Sequence, residues 1–169
     1  KKVSKIQQFL LTKSIKRGDR IVGILNNTID TIAIFLAVNS LGAIWSCCSP
    51  DFGDKSILDR FSQIEPKMLF IQSEYQYNGK QFRKSTIISL LQNSISSLEN
   101  IVDLNSSQWN EILELIVPDK LIFKRVPFSS PIWILYSSGT TGIPKAITHS
   151  TGGILIEHYK ALALHQNVK

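Results

Sequence analysis

The 169 residues predict an α/β fold, a doubly wound and mostly parallel sheet with helices on both faces. Three observations carry that expectation. Short apolar runs at 21–25, 43–48 and 68–71 are separated by stretches of helical periodicity, the rhythm of βαβ units. The runs are continuous rather than alternating, as strands buried on both faces require. Hydrophobic residues make up 43% and charged residues 19%, enough apolar material for a packed core and too much for a disordered chain. No repeat of solenoid length recurs.

The elements follow in order. Residues 3–14 place Val3, Ile6, Phe9 and Leu10 on one helical face. Gly18-Asp19 turns the chain into a buried strand, Ile21–Leu25, closed by Asn26-Asn27. Thr28 caps a helix that runs through Leu41, with Gly42 as its stop. That helix is apolar on nearly all sides, which predicts deep burial. The next strand is Ala43–Cys48. Helix plus strand explains the uncharged stretch Thr31–Pro50 better than a membrane span does. The stretch contains Asn39, Ser40, Gly42, Ser46 and Ser49, and its flanks are Asp30 and Asp51 with no basic anchor.

After the loop 49–53, Asp54 is expected to cap a helix with Ile57, Leu58, Phe61 and Ile64 on one face, ended by Pro66. Met68–Ile71 is the third strand. Residues 73–80 read as a polar loop, 82–95 as a helix, 101–104 as a strand, and 107–115 as a short helix capped by Ser107. Residues 121–126 fit no element clearly. Pro131–Tyr136 and Ala146–His149 are strands, and Ile154–Leu164 is a strongly apolar helix. No linker interrupts the chain, so a single domain, or part of one, is expected.

The net charge is +6, unevenly spread. Seven of the nineteen basic residues (Lys1, Lys2, Lys5, Lys13, Lys16, Arg17, Arg20) lie in the first twenty positions with one acid, Asp19. The rest is balanced. A nucleic-acid binder spreads a basic stripe with interleaved aromatics, so no nucleic-acid partner is expected. Cys47 and Cys48 are adjacent, which disfavours a bridge between them, and no C-x-x-C spacing exists for structural zinc. Free thiols suit a reducing compartment, and no secretory signal pattern is seen, so the cytosol is expected. The chain begins Lys-Lys rather than Met and reads as a piece of something longer.

The stretch that carries chemistry is Tyr136-Ser137-Ser138-Gly139-Thr140-Thr141-Gly142-Ile143-Pro144-Lys145. Small residues following an apolar strand add little to a core, and their backbone N–H groups need partners. Gly139 and Gly142 permit close backbone approach. Ser137, Ser138, Thr140 and Thr141 add hydroxyls and Lys145 a positive charge. Together they make a nest suited to nucleotide phosphates, or a plain hydroxyl-rich turn between strands. Neither the Walker spacing nor G-x-G-x-x-G is present.

YSSGTTGIPK resembles the phosphate loop of the adenylate-forming enzymes: acyl-CoA synthetases, peptide-synthetase adenylation domains and luciferases. Gly18–Val22 and Ala33–Ile44 resemble the turn, strand, helix and strand near that family's N-terminus. The resemblance implies an incomplete N-terminal part of the family's fold. Residues 1–169 would be a partial AMP-binding (adenylation) domain without the C-terminal domain. Residues 44–53, 77–80 and 148–165 are more narrowly similar to a short-chain branch of the acyl-CoA ligases acting on a 3-oxo acid. Cys47 departs from it, since Ser is more usual there.

The resemblance implies a two-step ligase. A carboxylate attacks ATP to give acyl-adenylate and pyrophosphate, and the thiol of CoA then displaces AMP. Ser137, Ser138, Gly139, Thr140, Thr141, Gly142 and Lys145 are implied as phosphate-binding, with ATP, Mg²⁺ and CoA as substrates or cofactors. No catalytic residue and no metal ligand is expected within the stretch itself. The family's catalytic Lys is expected beyond Lys169, as are its Mg²⁺-binding Glu and ribose-binding Asp, so the chain alone is expected to be inactive. The alternatives are an acetyl- or propionyl-CoA synthetase-like ligase and an inactive nucleotide-binding remnant.

Other residues read more simply as structure. His149, His158 and His165 belong to no H-E-x-x-H or carboxylate set, although His149 is expected to sit close to the loop. Asp51 and Asp54 read as a loop acid and a cap. Cys48 reads as a buried, inert thiol, and Trp45, Trp109 and Trp133 as packing residues.

Overall fold

The computed structural model describes residues 1–138 and 142–168. Six strands form one sheet. In chain order the elements are α1 (Lys2–Thr12), β1 (Arg20–Ile24), α2 (Ile29–Ser40), β2 (Ile44–Cys48), α3 (Asp54–Phe61), β3 (Met68–Ile71), the hairpin strands β4 (Glu74–Tyr77) and β5 (Lys80–Arg83), α4 (Ser85–Ser94), β6 (Asn100–Asp103), α5 (Ser107–Leu115), β7 (Pro131–Ser137), β8 (Lys145–Ser150) and α6 (Thr151–Lys160). A π-helical turn, Ala161–His165, extends α6.

The sheet order is β6-β3-β1-β2-β7-β8. All neighbours are parallel except β7 and β8, which form an antiparallel hairpin at one edge. The doubly wound arrangement follows from the two cores. On one face α1, α2 and α5 bury Ile6, Leu10, Ile34, Val38 and Trp109 against Ile21, Trp45 and Phe70. On the other, α3 and α4 bury Ile57, Phe61, Ile87 and Leu91 against Val22, Ile24, Leu69 and Ile71. Adjacent strand residues thus feed opposite cores, which explains the continuous apolar runs.

Gly23 is the one interior strand position without a side chain on β1. A Cβ there would lie 2.8 Å from Cη2 of Trp45, so the glycine makes room for the indole.

Several expectations are corrected. Helix α2 is not buried all round: Ala33, Ile34, Ala37 and Val38 face the core, while Ile29 and Ile32 are 79% and 53% exposed. An even apolar pattern does not say which side meets the sheet. Asp54 is the first residue of α3 rather than its cap, which is Gly53. The Asp54 carboxylate accepts from Lys84 Nζ at 3.0 Å and from Thr86 Oγ1 at 3.2 Å. Ser106, not Ser107, caps α5, accepting from Trp109 N.

Residues 74–83 are a hairpin, replacing the loop expected over 73–80 and the first residues of the helix expected over 82–95, which starts at Ser85. Asn78 and Gly79 both have positive φ (49° and 76°), the turn chemistry that Asn-Gly supplies. The ambiguous 121–126 stretch forms no regular element. It is pinned instead by the buried Gln7 amide, which accepts from Ile122 N and donates to Ile122 O, and by Lys124 N donating to Ser40 O. None of the described helices is long and apolar enough to cross a membrane.

Candidate phosphate-binding site

Strands β2 and β7 run side by side in the same direction, so the loops after Cys48 and Ser137 open at the same end of the sheet. Ligands of open α/β sheets bind at the carboxyl ends of strands. A cleft of about 450 Å³ lies here. Ser138 and Gly142 form one wall, and Gly53, Lys55, Ser56 and Arg60 from α3 and its cap form another.

Each wall has a local cause. Ser137 is the last residue of β7 and pairs across the hairpin with Lys145, the first of β8, so the strands bring both ends of the loop together. Gly142 has φ +87° and open space where a Cβ would stand. The value lies in the left-handed region that glycine adopts without strain. Gln63 Nε2 donates to Pro144 O at 2.9 Å and ties the loop's end to the chain after α3. Lys84 Nζ donates to Phe52 O at 2.5 Å and holds the start of α3.

Of the residues implied as phosphate-binding, Ser138 and Gly142 line this cleft and Ser137 and Lys145 close the hairpin at its base. Gly139, Thr140 and Thr141 lie outside the described residues. So does Lys169, the position beyond which the family's catalytic Lys is expected. Arg60 and Lys55 were missed in the sequence. Arg60 sits between two aromatic rings, 4.9 Å from the centroid of Phe52 and 5.7 Å from that of Tyr136. Its Nη1 donates to Ser56 O at 2.7 Å. With Asp59, the cleft has two cations and one anion among its lining residues.

The electrostatics beneath the cleft are set by burial. Burial pushes the Tyr136 phenol up to about 12, against the opposing effects of Ser46 and Arg60. Burial likewise pushes the Cys48 thiol up to about 12, and the Arg60 charge works against it. Cys48 is therefore a protonated, buried thiol, whereas Cys47 is exposed.

His149 does not line the cleft. It pairs with Trp133 on β7, four residues along β8 from Lys145 and roughly 13 Å away at strand rise. Its ring lies 6.1 Å from that of Trp133. Trp45 and Trp109 are buried in the core, and Trp133 packs against it. Among the described residues no group of three or more His, Cys, Asp and Glu could hold a metal ion.

A strand end, the described ends of a hydroxyl-rich loop and a facing helix that carries Lys55 and Arg60 meet in this cleft. The AMP-binding enzyme family matches residues 1–168, and the chain belongs to that family. It is 41% identical over 175 residues to the acetoacetyl-coenzyme A synthetase of Rhizobium meliloti, covering 96% of this chain and 27% of that protein. It is 39% identical over 172 residues to the acetoacetyl-CoA synthetase of Gallus gallus, covering 91% and 26%. The structure of the acetoacetyl-CoA synthetase from Streptomyces lividans superposes with a TM-score of 0.89 at 36% identity, over 99% of this chain and 27% of that one. The chain thus spans about a quarter of the length of these relatives.

Proposed function

We propose that this chain supplies the N-terminal part of the adenylation domain of an ATP-dependent acetoacetate–CoA ligase. The observation that carries the reading is the cleft in which Ser138 and Gly142 face Lys55 and Arg60 at the carboxyl ends of β2 and β7. The similarity to acetoacetyl-CoA synthetases over nearly the whole chain supports the choice of acid.

In this reading the loop from Ser137 to Gly142 wraps the β- and γ-phosphates of ATP. Ser138 donates through its hydroxyl, and the glycines present backbone N–H groups at close range. Lys145 holds the base of the loop and offsets charge on the leaving pyrophosphate. Arg60 adds a fixed positive charge on the opposite wall, held by its aromatic neighbours, so little reorganisation accompanies charge development. Acetoacetate attacks the α-phosphate, and CoA then takes the acyl group from the adenylate. Mg²⁺ enters with ATP, and the described residues offer no carboxylate set for it. The remaining contacts, the catalytic Lys beyond Lys169 among them, belong to other segments of the full-length protein, for which the cytosol is the proposed compartment.

The test is acid-dependent ATP–pyrophosphate exchange by the full-length protein. Acetoacetate should support exchange well above acetate or propionate. Equal rates, or acetate ahead, would remove the choice of acid and leave the adenylating class standing.

A further inference from the structure

The basic surplus at the start of the chain plays no part in the phosphate site. Lys16 and Arg17 lie before β1, at the opposite end of the sheet. The irregular 117–130 segment returns to the same place and brings Lys124 and Arg125 beside them. These four cations surround a cleft of about 570 Å³ whose floor is Leu11, Ile15 and Leu41. Among the described residues none of the four forms a salt bridge. The nearest acid in sequence, Asp19, is engaged by Lys67 Nζ at 3.3 Å and by Lys16 N at 2.8 Å.

The cleft is built rather than incidental. Gln7 is fully buried and grips Ile122 through both ends of its amide, at 2.7 and 2.9 Å. Ser4 Oγ accepts from Asp119 N at 2.9 Å, and Lys124 N donates to Ser40 O at 2.9 Å. Gly42, at φ +71°, lies against both arms of the cleft: a Cβ there would stand 2.9 Å from Val126 Cγ1 and 3.3 Å from Arg17 Cγ. The backbone carrying Lys124 and Arg125 is therefore anchored before any ligand arrives, which lowers the ordering cost of binding.

We propose that this cleft binds a single anionic amphiphile, a molecule with one short apolar chain and a carboxylate or phosphate head. The floor of Leu11, Ile15 and Leu41 takes the apolar chain, and the four unpaired cations take the head. Pockets for small ligands have this size and this division of apolar wall and few charged groups. A concave floor suits one inserted chain, whereas a membrane surface is met by protruding apolar side chains. A carboxylate and a phosphate share the chemistry of recognition, since Arg binds both in bidentate fashion.

The experiment is calorimetric titration of the full-length protein, without nucleotide, using octanoate and octyl phosphate below their micellar concentrations. Both arms are repeated with the Lys124→Gln/Arg125→Gln double variant and with Leu11→Asp, which change exposed positions outside the phosphate site. Saturable binding of either probe, weakened roughly tenfold or more in both variants and by added salt, is expected. The stronger arm identifies the head group. Unchanged affinity in the double variant would overturn the proposal, as would no binding of either probe at about 1 mM. Inorganic phosphate binding as tightly as octyl phosphate would overturn the amphiphile, and octanol binding as tightly as octanoate would overturn the anion.

Discussion

The Tyr136 hydroxyl donates to the backbone carbonyl of Arg60 at 2.9 Å, while the Arg60 guanidinium stands 5.7 Å from the Tyr136 ring. The two residues contact each other twice, through main chain and through side chain. Arg60 lies in the last turn of α3 and Tyr136 near the end of β7. Their contact joins the helix wall of the cleft to the strand from which the proposed phosphate loop springs. The positive charge facing the loop is thus fixed by the loop's own root.

This contact separates a structural from an electrostatic contribution. Tyr136→Phe removes the shorter of two hydrogen bonds to the Arg60 carbonyl, which keeps Gln63 N at 3.3 Å, and should cost about 0.5–1.5 kcal/mol of stability, read by urea unfolding. Arg60→Met keeps an apolar stem between the rings and removes the charge. It should lower kcat/KM for pyrophosphate exchange roughly ten- to a hundredfold, with a smaller effect on the unfolding midpoint. Wild-type turnover in Arg60→Met would show that the guanidinium only packs.

Gly142 carries a conformational prediction. At φ +87° with open space around it, the obstacle to a side chain is the backbone and not a clash. Gly142→Val should therefore lose exchange activity almost entirely, because β-branched residues disfavour that region. Gly142→Asn should retain more, since Asn visits positive φ at lower cost. If Val and Asn behave alike, bulk near the phosphates and not φ sets the requirement.

Gly23 tests the packing of the sheet. Its missing Cβ is the space that the Trp45 ring occupies, with Cη2 at 2.8 Å and Cζ2 at 3.0 Å. Gly23→Ala should destabilise by about 1–3 kcal/mol, because both residues are fixed in neighbouring strands and the Trp45 ring is packed in the core beneath the helices. A Trp45→Phe change in the same chain should recover part of the loss. Additive penalties in the double variant would place the strain elsewhere.

Much of this was legible in the sequence, for identifiable reasons. The parallel strands were visible because burial on both faces leaves unbroken apolar runs such as Met68–Ile71. The motif YSSGTTGIPK stood out because it departs from any core pattern, and its described ends, Ser138 and Gly142, line the cleft. The opposing wall did not. Lys55 and Arg60 lie on a helix whose periodicity marks only its buried face, Ile57 and Phe61. Nothing local says that the other face meets a loop about eighty residues away. The Asn78-Gly79 hairpin could have been read from its turn dipeptide but was absorbed into a polar stretch. The exposed flank of α2, with Ile29 and Ile32, could not have been read, since a helix with apolar residues on nearly all sides carries little signal of direction.

Alkaline pH offers the last test. Folding raises the Cys48 thiol from 9.0 to about 12 and the Tyr136 phenol from 10.0 to about 12, both chiefly through burial. For such groups the folded state favours the neutral form. Below about pH 8 both groups are almost wholly neutral whether the chain is folded or not, so the shifts leave stability unchanged. Above that the unfolded chain loses protons that the folded chain keeps, and stability falls until the pH reaches the folded values near 12. The urea midpoint should accordingly begin to decline between about pH 8 and 9 and fall further above that. Cys48→Ala should flatten the lower part of that decline, and Tyr136→Phe the upper part. In the same pH range a thiol reagent should modify Cys47 well before Cys48 in the folded protein, because only Cys47 is exposed, although burial pushes its thiol up as well. Rapid modification of both cysteines under native conditions, together with a flat pH profile, would mean that the space beneath the cleft is open to water.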